Sequence, residues 1–170
     1  MKQLRMYPEY VKWTWQGMKW ATTRLKPKDL MDYSLVSGSY CNPVHSGIVI
    51  ELHEIWTWTR ETLPENYLQE IIKAENFPSK EDFFSVLASI NKIEILPNTR
   101  MFTHFYEVKH MKVDVSEFTL GEVEQCIKRL MERKSGGSFQ FKRDPKEGKV
   151  YLHKFNGNEG QNRKGVENGY

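Results

Sequence analysis

Apolar side chains recur at helical spacing in four stretches of the chain and alternate, or run together, in five others. Pro8 in a first turn and Gly17 beyond the last apolar position bracket Tyr10, Val11, Thr14 and Trp15, which predicts a helix over residues 8–16. Ala21, Thr22, Thr23, Arg24 and Leu25 are strand formers stopped by Lys26, Pro27, Lys28 and Asp29. Residues 37–47 collect Ser, Gly, Asn and Pro and read as a loop, and residues 47–58 form a long β-branched and aromatic strand. Thr62 with Glu65, and Ser79 with Asp82, are capping patterns that precede the apolar stripes Leu68, Ile71, Ile72 and Phe83, Phe84, Leu87, Ile90. They predict two short helices around the link Ala74, Glu75, Asn76, Phe77, Pro78. Residues 101–109 alternate aromatic and polar positions, a strand that completes a sheet with those at Thr22 and Gly47.

Further on, Thr119 and Glu122 make a capping box ahead of Leu120, Val123, Ile127, Leu130 and Met131, and Arg129, Arg133 and Lys134 precede Gly136 and Gly137. A helix over 119–134 follows. Residues 138–143 and 149–155 read as strands joined by a polar turn, so this part is a helix plus a basic hairpin. Residues 156–170 are rich in Gly and Asn, with Val166 and Tyr170 as their sizeable apolar side chains, and are expected to fray.

The length of 170 residues, with 39% hydrophobic and 28% charged positions, fits one globular domain with an appendage and excludes a fibrous or wholly disordered chain. No apolar run approaches the roughly 18–20 residues that span a bilayer, and the first residues lack the apolar core of a signal peptide, so a cytoplasmic, monomeric protein without membrane contact is expected. Cys41 and Cys126 belong to no ligand or disulfide pattern, and His45, His53, His104 and His110 show no metal-ligand spacing, so neither a metal nor another cofactor is expected. The net charge is only +3, but residues 1–28 hold seven cations against Glu9, and residues 128–154 hold nine against three acids. Two basic segments of that kind attract a polyanion if folding brings them together.

Most of the candidate chemistry lies in Gly17, Met18, Lys19, Trp20, Ala21, Thr22, Thr23 and Arg24. Lys19 and Thr22 flank a turn into a strand, where a partly desolvated lysine loses basicity and can accept a proton from a hydroxyl. Thr22 and Arg24 share a strand face. A carboxylate must come from elsewhere in the fold.

The G-x-K-x-x-T-x-R pattern of Gly17, Lys19, Thr22 and Arg24, after a helix opened by Pro8, resembles the ASCH domains, relatives of the PUA-like RNA-binding fold. Ala74, Glu75, Asn76 and Phe77 with the helix after them resemble a second block of that family, and the strand at 101–108 resembles its closing strand. The resemblance implies an α+β fold, a small, mostly antiparallel β-barrel with flanking short helices over residues 1–110, to which the sequence pattern itself adds the helix and hairpin of 111–155 and a flexible tail at 156–170. It implies a basic cleft lined by Lys19, Thr22, Arg24 and Glu75 that binds RNA or a modified nucleoside. Bacterial members that hydrolyse N4-acetylcytidine use a Lys, a Thr and a Glu at the positions of Lys19, Thr22 and Glu75, so a metal-independent amidohydrolase is the alternative that the resemblance brings. This chain continues about sixty residues beyond the point where those enzymes end.

Gly17, Trp20, Arg24, Lys142 and Arg143 complete the expected ligand contacts, with Trp20 chosen as a base-stacking partner for its place beside Lys19. Lys142 and Arg143 belong to a hairpin that interleaves aromatics with cations, as a strand-based RNA surface would. A regulatory adaptor that engages a protein partner through residues 111–155 is a second alternative.

Overall fold

The computed structural model describes residues 1–133 and 137–156. Among them the elements run β1 (Gln3–Arg5), α1 (Pro8–Trp15), β2 (Ala21–Arg24), β3 (Asp32–Gly38), β4 (Pro43–Trp58), α2 (Glu65–Ala74), α3 (Lys80–Asn91), β5 (Met101–Asp114), α4 (Leu120–Glu132), β6 (Ser138–Arg143) and β7 (Val150–Phe155). The fold is mixed α+β, as expected. The strand order is β1-β3-β4-β5-β7-β6 with β2 also on β5, an open path with two ends rather than a closed barrel. No described helix is long and apolar enough to cross a membrane.

The chain divides into two compact units made of interleaved segments, and β4 and β5 each run from one unit into the other. The first unit takes Met1–Gly17, Asp32–Glu51 and the described residues from Glu107 onwards, so the helix and hairpin of 111–155 belong with the N-terminal helix. In it β1 pairs parallel with β3, Leu4 opposite Leu35, and β3 pairs antiparallel with β4, Tyr33 opposite Ile50. β7 lies antiparallel between β5 and β6, with Leu152 opposite both Val113 and Phe141. The buried stripe of α4 is Val123, Cys126 and Leu130, and α1 buries Thr14 and Trp15, the indole edge-on to Phe118 at 5.3 Å. Arg129 Nε donates to the Gln16 carbonyl at 2.8 Å, so the end of α1 rests on α4.

The second unit takes Met18–Met31 and Leu52–Tyr106. There β2 pairs antiparallel with β5, with Thr22 opposite His104 and Thr23 opposite Thr103. Its core gathers Trp58, Leu68, Ile71, Phe83, Leu87 and Met101, contributed by β4, α2, α3 and β5.

The capping box of α4 forms in full: Glu122 N donates to Thr119 Oγ1 at 3.2 Å and Thr119 N to Glu122 Oε1 at 2.9 Å. Ser79 likewise caps α3, accepting from Asp82 N at 3.2 Å. Thr62 does not cap α2. Pro64 disfavours a helical conformation at Leu63, which would have been the first helical residue, so α2 starts after Pro64 and the Thr62 hydroxyl turns back to that of Thr59 at 2.7 Å. The loop expected over 37–47 shrinks to a short connection, because β3 extends to Gly38 and pairs it with Pro43, the first residue of β4. Proline is tolerated at a strand's first residue. Residues 157–170, nearly all of the tail expected to fray, lie outside the described residues.

Gly17 has φ +75°, and a Cβ there would lie 2.6 Å from Arg129 Cβ and 2.8 Å from Leu130 N. Both the left-handed backbone and the close approach to α4 require glycine. Gly17→Ala is therefore expected to lower unfolding free energy by about 2 kcal/mol. Urea denaturation followed by tryptophan fluorescence measures this, and an unchanged midpoint would show that the α1–α4 contact is looser than described.

Candidate functional site

Glu75 is the C-cap of α2, and the chain leaves that helix through a Schellman motif: Phe77 N donates to Ile72 O and Asn76 N to Lys73 O, each at 3.1 Å. Asn76 takes the left-handed conformation, φ 64°, which asparagine tolerates better than other non-glycine residues. The turn aims Glu75 away from solvent. Trp20 N donates to the Ala74 carbonyl at 2.8 Å, and Tyr106 N donates to the Trp20 carbonyl at 3.0 Å. The Trp20 backbone is thus held between the end of α2 and β5, which fixes Lys19 beside Glu75.

Lys19 Nζ donates to Glu75 Oε1 at 3.0 Å, with side-chain exposures of 1% and 6%. Thr23 Oγ1 donates to the other carboxylate oxygen, Oε2, at 2.5 Å, and is 2.7 Å from Thr103 Oγ1, which accepts from Trp58 Nε1 at 2.8 Å. An indole N–H can only donate. The order of protons follows: Trp58 to Thr103, Thr103 to Thr23, Thr23 to Glu75. The carboxylate therefore receives an ammonium on one oxygen and a polarised chain of hydroxyls on the other.

Burial pushes the Lys19 ammonium below the ordinary lysine value; the ion pair with Glu75 opposes that shift, and the Arg24 guanidinium adds to it. The desolvated Lys19 thus lies against one carboxylate and within reach of the charge of a half-buried Arg24. The neighbouring face of β2 carries Thr22, directly opposite His104. The fully buried His104 ring accepts from the Lys28 amide at Nε2, 2.9 Å, so Nδ1 carries the proton toward the Thr22 carbonyl at 3.3 Å.

Of the residues expected to act together, Lys19 and Glu75 meet, and Arg24 is close enough to act on Lys19 through its charge. The hydroxyl bonded to Glu75 is that of Thr23, one position beyond the expected Thr22, which is also buried but lies on the other face of β2. Alternation along a strand makes the two threonines unequal, but the sequence did not show which face turns to the carboxylate. Thr103 and Trp58, which sequence reasoning missed, complete the chain of hydrogen bonds. Gly17 has a packing role against α4, and Trp20 contributes its backbone. Lys142 and Arg143 are exposed on β6, in the first unit, whereas Lys19 and Glu75 belong to the second. Among the described residues no three His, Cys, Asp or Glu side chains converge as metal ligands.

No protein-family model and no curated protein sequence matches this chain. Solved structures are similar to it, among them the following two. One is an ASCH domain from Lactobacillus crispatus JV V101, 13% identical, TM-score 0.43, with 63% of this chain and 79% of that chain covered. The other is a protein from Enterococcus faecalis V583 described by the family model DUF984, 13% identical, TM-score 0.44, with 64% of this chain and 80% of that chain covered.

The His104 arrangement carries a pH dependence of known sign. Burial is the main reason that its pKa lies below the ordinary value of 6.5; the Thr22 carbonyl opposes this, and the charges of Arg24 and Lys28 add to it. Below pH 6.5 the unfolded chain takes up a proton that the folded chain resists, so stability that is complete above 6.5 declines as pH falls toward the folded value. His104→Gln, which keeps an acceptor and a donor without a titration, is expected to flatten that decline in urea melts between pH 7 and 5. Parallel slopes for wild type and variant would contradict the assignment.

Proposed function

We propose that this chain is an ASCH-type module that binds a nucleobase, free or in RNA, at the Lys19–Glu75 pair. The observation that carries the reading is the burial of that pair next to Arg24. A buried ion pair contributes little to stability, since apolar replacements of similar volume are often neutral or better. Its cost is understandable where the groups serve a ligand. Chemically, the ammonium is a donor and the carboxylate an acceptor, side by side. That is the complement of a cytosine edge, which offers ring acceptors next to an exocyclic amine donor. The G-x-K-x-x-T-x-R resemblance supports the same ligand class, and Arg24 suits a phosphate or a second base edge.

Amide hydrolysis is the second reading, favoured by the lowered basicity of the buried Lys19. In it water adds to the acetamide carbonyl of N4-acetylcytidine, the carbon–nitrogen bond breaks, and cytidine and acetate leave, with Lys19 taking and returning the proton. The resemblance assigns the hydroxyl to Thr22, whereas the hydrogen bonding to Glu75 favours Thr23.

Calorimetric titration with cytidine and N4-acetylcytidine tests the binding reading. Glu75→Gln and Lys19→Met are each expected to weaken binding by tenfold or more; wild-type affinity in both would reject it. Incubation with N4-acetylcytidine, with acetate release as the readout, tests the hydrolytic reading. Turnover that Lys19→Ala abolishes supports it, Thr22→Ala against Thr23→Ala identifies the working hydroxyl, and no release by wild type rejects it.

A further inference from the structure

On the outer face of the β5–β7–β6 segment, aromatic rings and cations line up along one strand. Along β7 the burial alternates: Leu152 and Lys154 are buried, while Tyr151, His153 and Phe155 are half-exposed, so three rings share the face turned from the core. The His153 and Phe155 rings are nearly parallel, 21° between planes and 6.0 Å between centroids. The register sets an exposed cation on each side of this row. Lys142 of β6 is opposite Tyr151, and Lys112 of β5 is opposite His153, with its ammonium 4.8 Å from the Tyr151 ring centroid.

The acidic groups near the row are already engaged. Asp114 accepts from the Ser116 amide and hydroxyl at 3.0 and 2.6 Å and pairs with Lys149. Glu147 accepts from the Tyr151 hydroxyl at 3.0 Å, and Asp144 accepts from the Lys146 and Glu147 amides of the turn. Lys142, Arg143 and Lys146, by contrast, make no ion pair among the described residues, so the cationic side of the balance is the one left for a ligand.

We infer that this face binds single-stranded nucleic acid, with bases stacked on Tyr151, His153 and Phe155 and phosphates held by Lys112 and Lys142. Alternate side chains on a strand are about 6.7 Å apart. That is twice the roughly 3.4 Å advance per nucleotide of a stacked strand, so only bases splayed from one another fit, and a duplex is excluded. Rings give the surface tolerance of sequence, and the lysines give it salt dependence.

The test is fluorescence anisotropy of a labelled eight-nucleotide oligo(U), with oligo(dT), a duplex of equal length and heparin as comparison ligands. The wild-type chain is expected to bind the two single strands well above the duplex. Tyr151→Val with Phe155→Val should weaken binding by fivefold or more, whereas Tyr151→Phe should retain it. Lys112→Gln with Lys142→Gln should weaken binding and lower the slope of log K against log salt by about 1 to 2. Circular dichroism melts of each variant separate a binding defect from unfolding, and the aromatic Tyr151→Phe variant keeps the ring claim testable if the valine pair melts early. Equal affinity for heparin with no effect of the rings would reduce the face to a nonspecific basic patch and overturn the proposal. So would the absence of oligonucleotide binding, as expected of a protein-docking face, or displacement of the oligonucleotide by free cytidine, which would move its site to Lys19.

Discussion

An ammonium and a carboxylate 3.0 Å apart with almost no water on either are expensive to assemble, and the second unit is arranged around meeting that expense. Desolvation alone favours neutral groups; what holds the charges is the completeness of their partners. Glu75 has both oxygens occupied, one by Lys19 and one by a hydroxyl chain that ends on an indole which can only donate. The direction of that chain is forced at Trp58, so its two threonine protons both point toward the carboxylate. Apolar replacements of similar volume are often neutral or better than a buried ion pair, and the ligand role proposed for this one rests on that comparison.

Backbone hydrogen bonds place the two partners side by side. The left-handed Asn76 ends α2, the Ala74 carbonyl takes the Trp20 amide, and the Trp20 carbonyl takes the Tyr106 amide. Lys19 and Glu75, fifty-six positions apart, become neighbours through those two bonds. β2, four residues long, then supplies Thr23 to one face and Thr22 to the other, where His104 lies across the register. The same short strand therefore links the charged site to a neutral buried imidazole.

Local signals were the legible part of the sequence. The capping box at Thr119 and the cap at Ser79 formed because both ends of each bond lie within one turn, and the strands expected at 138–143 and 149–155 are present as β6 and β7 on either side of their polar turn. β3 is not legible in the sequence because Asp32, Ser34, Ser37 and Gly38 look like turn residues, and its pairing with β4 and with the three-residue β1 is what makes it a strand. At Thr62 a correct pattern lost to Pro64, a neighbour that constrains the residue before it. Lys19 and Glu75 were legible as a pair through resemblance. Thr23 was not, since both threonines are buried and choosing between them requires knowing which face of β2 turns to the carboxylate, and Thr103 and Trp58 are joined to it only by tertiary packing.

Lys19 and Glu75 are buried against each other, and the proposed ligand role requires that each depends on the other for its place in the fold while the pair as a whole adds little stability. A double-mutant cycle on unfolding free energy with Lys19→Met, Glu75→Leu and the combined variant addresses it directly. Each single variant should lose about 3–5 kcal/mol, because it leaves one buried charge uncompensated, while the double variant should lose less than either. Losses that simply add, or single variants as stable as the wild type, would contradict the account.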